Sequence, residues 1–334
     1  MGWKGNVRTI HSAYKRSIRE AERRERENIR QQKQYDKAQQ LRNDRREYEE
    51  YQEYYYMLKS LHGECSKPVD WNKILNSKQP SKPKKYKTYE NKAQKQKDIF
   101  KPGLIDKIFK RDIKKLDTLE RDIIQATQED KMNYNRKIDA WEIQCKEWRE
   151  KVEIAKKVIS NDTEIKLKII DKYKPFSDIS ELGTSVIFSA TENEPVTITL
   201  KTHGVEIIPT EVKSLLQSGK LSVKKMPKGQ YNELFQDHVC SAVLRIANET
   251  FSILPDELVI INATDKILNT KTGHREEQII LSVGISRETL KPINLKRIDP
   301  SDCMGNFVHN MSFKKLKGFA AVKKLNEKYF IQSN

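Results

Sequence analysis

No run of apolar residues in this chain comes near the roughly 20 needed to cross a bilayer, and the basic residues at its start are followed by no hydrophobic segment of the secretory kind. No membrane association is expected, and the location expected is cytoplasmic. Cysteine is scarce. Cys65, Cys145, Cys240 and Cys303 lie far apart and form no CxxC pair, which argues against a disulfide framework or a zinc ribbon. Glycine and proline are also few, 12 and 11 in 334 residues, and neither occurs between Val7 and Leu61. Walker loop, Gly-x-Ser-x-Gly elbow, HExxH helix and glycine-rich dinucleotide loop are all missing. The common routes to nucleotide hydrolysis, acyl transfer and zinc hydrolysis have no foothold in the sequence.

What the chain has is positive charge, unevenly placed. Residues 1–115 hold 31 Lys and Arg against 16 Asp and Glu, a net +15 of the chain's +17. The densest part, Lys67 to Lys115, carries 16 basic and 5 acidic residues. A cationic front joined to a nearly neutral body points to polyanion binding.

The first segment, 1–62, is rich in Glu, Arg, Lys and Gln and reads as one long charged helix. Its apolar residues cluster toward the C-terminal end, where Tyr48, Tyr51, Tyr55 and Leu58 keep the three/four spacing of a packing stripe. Residues 63–103 form a basic connector rich in Pro and Lys. Proline and like-charge repulsion predict it to be extended, with Val69, Trp71, Ile74 and Leu75 anchoring it to a helix. A second long helix is predicted from Leu104, followed by a short one, within 104–175. Leu116, Leu119, Ile123, Ala126, Tyr134, Ile138, Trp141, Cys145 and Trp148 trace a coiled-coil-like seam, interrupted near Asp130. The two long helices are expected to pair as an antiparallel hairpin, although the same seam also suits a second copy of the chain, a homo-oligomer.

Residues 176–334 read as a mixed α/β domain. Ser185–Ala190 and Val196–Leu200 have strand character, and Leu258–Ala263 and Gln278–Ile285 are nearly continuous apolar runs of the kind buried on both faces. Between them Tyr231–Leu254 predicts a central helix packed on the sheet. The overall fold class is therefore α+β.

Chemistry-bearing residues are sparse. Glu211 and Lys213, two apart, are the one fragment resembling a metal-dependent nuclease signature, with Mg²⁺ as cofactor and Glu194 or Glu206 as a further ligand. Pro209 just before it and a helix-like run from Ser214 give it poor strand context. Lys220, Lys224, Lys225 and Lys228, between two glycines, are candidates to touch phosphates. Lys82, Lys84, Lys85 and Lys87 interleave with Tyr86 and close on Tyr89, a pattern in which bases stack on rings while ammonium groups meet phosphates. His62 with Cys65, His238 with Cys240, and Cys303 with His309 are sequence neighbours, more commonly structural than metal-binding.

Phe100–Phe109, Lys213–Lys228, Gln236–Arg245 and Asp299–Asp302 resemble blocks in a group of uncharacterised bacterial proteins with a charged helical N-terminus before a shared C-terminal domain. The resemblance implies a bacterial intracellular protein and carries over no catalytic role. The reading that follows is a non-enzymatic interaction protein, its basic helical arm binding nucleic acid or an acidic protein partner and its α/β domain docking, with no cofactor. A Mg²⁺-dependent nuclease using Glu211 and Lys213 and a coiled-coil scaffold without polyanion binding are the alternatives.

Overall fold

A computed structural model describes residues 3–101, 111–177, 184–191, 194–269, 272–326 and 330. The expected helix start at Leu104 and most of the Phe100–Phe109 block lie outside them. The chain divides into two compact units. One joins Met1–Pro68 to Ile170–Asn334, and the other is Val69–Ile169. Among the described residues no helix is long and apolar enough to cross a membrane.

The first unit opens with α1 (Trp3–Ser60). Its side chains from Lys15 to Gln40 are all exposed, and i,i+4 pairs such as Arg23–Glu27 (3.4 Å) line its surface. Such pairs each contribute only ~0.2–0.5 kcal/mol. The C-terminal end is different, because Leu58 is fully buried in the core of the unit, with Tyr54, Tyr55 and Leu61 packed around it. The tyrosine-rich stripe is thus a packing surface, while Tyr56, outside it, is exposed.

That core is built on a five-stranded sheet in the order β1 (Ser185–Ser189), β2 (Val196–Lys201), β5 (Leu258–Leu268), β6 (Arg275–Ser286), β7 (Val308–Met311). Only β2 and β5 run parallel. The chain between these two includes a short helix α6 (Gly204–Ile207), the hairpin β3 (Glu211–Leu215) and β4 (Leu221–Lys225), and the 26-residue helix α7 (Lys228–Ile253). Helix α7 contacts both β5 and the end of α1. Covered on two sides, it buries polar as well as apolar positions, His238, Ser241 and Glu249 among them. Val259 to Ala263 in β5 are buried without alternation, as a strand covered on both faces requires. Short helices α8 (Arg287–Leu290) and α9 (Pro300–Cys303) and a small pair, β8 (Phe313–Lys314) with β9 (Gly318–Phe319), complete the unit.

The second unit is organised by α4 (Arg111–Ile159). Helix α2 (Trp71–Leu75) and helix α3 (Thr88–Ile99) both pack on it; α5 (Thr163–Tyr173) follows it in the chain. Lys97 meets Glu120 at 2.8 Å, and the N–H groups of Tyr89 and Glu90 reach Asp130, so α3 runs antiparallel to α4. Midway, the small buried side chains of Ala93 and Ala126 permit close approach of the two helices.

The antiparallel pairing expected of two long helices is thus made by α3 with α4. Helix α1 places its stripe on α7 and the β3–β4 hairpin within its own unit. The connector is anchored to a helix as expected, through α2 with its buried Trp71 on α4, and departs from the extended form expected in being helical over Thr88–Ile99 as well. The chain between α2 and α3 is fastened to α4 by side-chain hydrogen bonds.

Candidate nucleic-acid interface

The irregular segment between α2 and α3 is held at several points. The Trp148 indole N–H donates to Ser77 Oγ (2.9 Å), and the Trp141 indole N–H donates to the Pro80 carbonyl (2.9 Å). The Lys82 ammonium lies over the Trp141 ring, 5.7 Å from its centroid, a cation–π contact. Two tryptophans at i and i+7 on α4 thus turn a lysine-rich strip into a fixed strip.

Beyond it, α3 begins against α4. Asp130 Oδ2 accepts the backbone N–H of Tyr89 (3.0 Å) and of Glu90 (2.9 Å), satisfying two of the N–H groups that the first turn of a helix leaves open. Asp130 is buried. A cleft of about 460 Å³ opens here, walled by Lys84, Tyr86 and Tyr89 on one side and by Tyr134, Arg136 and Lys137 of α4 on the other, with Asp130 among its lining residues.

The cations in and beside this cleft differ in their partners, and those lining it are Lys84, Arg136 and Lys137. Lys87 is paired with Glu90 at 2.8 Å, but Lys84, Lys85, Arg136 and Lys137 make no ion pair among the described residues. Tyr86 is 61% exposed and Tyr89 46%. Cations beside uncovered rings can take phosphate on the one and a base on the other. Sequence reasoning named Lys82, Lys84, Lys85, Tyr86, Lys87 and Tyr89, all in this unit, and missed Tyr134, Arg136 and Lys137. The missed signal was the break in the α4 seam. An aspartate at a core position of a packing face needs hydrogen-bond donors, and Tyr134 and Lys137, at i+4 and i+7 from it, share its face, whereas Arg136, at i+6, carries no such signal.

Lys220, Lys224, Lys225 and Lys228 lie in the other unit. The hairpin turns at Gly219, whose φ of +79° is the left-handed geometry glycine adopts freely. All four lysines are exposed.

Glu211 and Lys213 do fall on a strand, β3, contrary to the poor strand context expected. The run from Ser214, expected to be helical, ends that strand and enters the turn. Lys213 Nζ lies 2.7 Å from Glu47 Oε1, so its charge is directed at α1. Among the described residues no three His, Cys, Asp or Glu side chains gather in a way that could hold a metal ion, with Glu194 and Glu206 included.

His62 and His238, from two of the three His–Cys pairs, are buried in the packing of the first unit. His62 Nδ1 and its backbone N–H both meet Ser241 Oγ of α7 (2.8 and 3.1 Å). His238 Nδ1 donates to the Leu58 carbonyl at 3.2 Å, and burial lowers its pKa to about 4. Burial likewise raises the Cys240 thiol pKa far above its usual range.

Further cavities occur among the described residues of the first unit, two of them around its sheet and α7. One of about 250 Å³ lies at the carboxyl ends of β2 and β5, beside Asp265, Arg275 and Glu277. Two of its three acids already have partners: Glu277 takes Thr264 Oγ1 (2.9 Å) and Lys201 (3.5 Å), and Asp265, its pKa raised by burial, has hydrogen bonds that partly offset the rise, one from Thr202. The other, of about 640 Å³, lies beside Cys65 and Arg287. There Arg287 donates to the carbonyls of Phe251 (3.0 Å), Leu254 (2.6 Å) and Asp256 (3.0 Å) around the end of α7, and so is a structural clamp.

The chain matches no protein-family model, no curated protein and no solved structure.

Proposed function

We propose that this protein is a non-enzymatic, cytoplasmic nucleic-acid-binding protein whose Val69–Ile169 unit supplies the binding surface. The observation that carries the reading is the cleft beside α3, where unpaired Lys84, Arg136 and Lys137 flank three tyrosines. The surrounding charge favours the same partner, since Lys78 to Lys101 contains 9 lysines and 2 acids. Because Trp141 and Trp148 hold the strip in place, little conformational entropy is lost when a phosphate chain lies along it. An acidic protein would satisfy the lysines but leave exposed rings without a matching flat partner. The α/β unit then acts as a docking platform joined to the same chain.

The test is equilibrium binding of the full chain to labelled nucleic acid over a series of salt concentrations. Affinity falls steeply with salt, and exchanging Lys84, Arg136 and Lys137 together for alanine flattens the slope by about 2, at ~0.7 per lost phosphate contact on a single strand. A slope unchanged by the triple exchange rejects this surface. The metal-dependent nuclease is the weaker reading, because Lys213 is engaged by Glu47 and the carboxylates needed beside Glu211 are not gathered there.

A further inference from the structure

We infer that the cleft beside α3 captures an unpaired base, and that the preferred ligand is therefore single-stranded nucleic acid. This rests on the nucleic-acid reading above and narrows it. Tyr86 comes from the strip before α3, Tyr89 from the first turn of α3 and Tyr134 from α4, so three aromatic rings from separate segments line one concavity. At about 460 Å³ it falls within the ~300–1,000 Å³ typical of small-molecule clefts, room for a base or nucleoside and too confined for a duplex. Bases inside a duplex have both faces covered by their neighbours. Only an unstacked base can lie against a tyrosine in a recess.

The distribution of charge orients the ligand. Lys84, Arg136 and Lys137 are the cations of the cleft, whereas Asp130, buried, is its acid. A carboxylate repels phosphate but accepts N–H groups of a base edge. Asp130 Oδ2 already serves the backbone of α3, while Oδ1 takes part in neither of those bonds. The base therefore enters toward Asp130 and the phosphates stay with the lysines and arginine. Exposed tyrosines suit this use, since their rings are held by backbone already ordered against α4.

Fluorescence anisotropy with the full chain decides the matter, using a labelled single strand of mixed sequence and the same strand annealed to its complement. The single strand is expected to bind about tenfold or more tightly than the duplex at equal salt, and Tyr86→Leu or Tyr89→Leu to lose about tenfold on the single strand. The duplex affinity stays unchanged in both variants, and Tyr86→Phe retains single-strand binding because the ring is kept. Circular dichroism of each variant checks that the helices persist. Equal affinity for the two probes, or leucine variants that bind the single strand like the parent, overturns base capture. In that event a loss on removing Lys84, Arg136 and Lys137 leaves the electrostatic reading standing. If neither probe binds at low salt, both readings fall together.

Discussion

Asp130 of α4 accepts the backbone N–H of Tyr89 at 3.0 Å, so the residue that interrupts the apolar seam of one helix is the cap of another. The same carboxylate takes the next N–H, that of Glu90, at 2.9 Å. A side chain distant in sequence thereby fixes where α3 begins and how Tyr89 is presented to the cleft.

Removing that cap loosens α3. Asp130→Ala is expected to cost about 0.5–2 kcal/mol, the usual range for loss of an N-cap acceptor, and Asp130→Asn less, because the amide oxygen still accepts. Hydrogen exchange at the Tyr89 and Glu90 amides checks this. Protection there drops in the alanine variant while the amides of α7, in the other unit, keep theirs.

The anchor of the lysine strip predicts a second effect. Trp141→Phe removes the donor to Pro80 while keeping a ring beneath Lys82, and a typical hydrogen bond contributes ~0.5–1.5 kcal/mol. The strip gains freedom, so protease cleavage between Ser77 and Lys87 accelerates several-fold. Nucleic-acid affinity weakens without a change in salt slope, since no cation is lost.

Burial of His238 makes the first unit sensitive to acid. Its pKa is about 4 in the folded chain against an ordinary 6.5. A group with a depressed folded pKa binds its proton more readily when unfolded, so stability is full above the unfolded value, falls as pH drops from about 6.5 to about 4, and levels off below. The loss is on the order of 3 kcal/mol. Denaturant titrations at successive pH values measure it, and His238→Asn, uncharged throughout, flattens that limb of the curve.

Docking of α1 depends on its last turns. Leu58→Ala empties a fully buried position in the core and is expected to cost about 2–5 kcal/mol. Ile29→Ala, on the exposed stretch of the same helix, changes stability by less than ~0.5 kcal/mol. Thermal unfolding of the two variants side by side separates the two halves of one helix.

Glu211 and Lys213 supply a last prediction. Lys213→Ala removes a half-exposed pair with Glu47 and costs no more than ~1 kcal/mol. Incubating the parent with DNA and RNA, with Mg²⁺ and then with EDTA, is expected to leave the strands intact. Metal-dependent cleavage abolished in Glu211→Ala would instead establish the nuclease.

Much of the fold was legible one segment at a time. The absence of Gly and Pro from Val7 to Leu61 suffices for α1, the β-branched runs suffice for β5 and β6, and the breadth of apolar residues on α7 reads as a central helix packed on the sheet, though not as one that α1 also covers. Tyr86 and the lysines around it were legible as a cationic aromatic strip. Tyr134, Arg136 and Lys137 were not, because on α4 they look like the ordinary solvated face of a charged helix. They become part of a cleft only once α3 lies beside them.

Local sequence determined which stretches are helix or strand, which faces must leave water, and where positive charge accumulates, because periodicity and composition act over a few residues. Which surface covers each face was decided by the tertiary structure. The stripe of α1 and the seam of α4 carry similar apolar patterns, yet one closes on α7 and the other on α2 and α3. Hydrophobic burial is non-directional, so an amphipathic pattern specifies that a partner exists without naming it. The choice rests on shape and on paired polar groups, of which Asp130 with the start of α3 and His238 with Leu58 are the instances seen here.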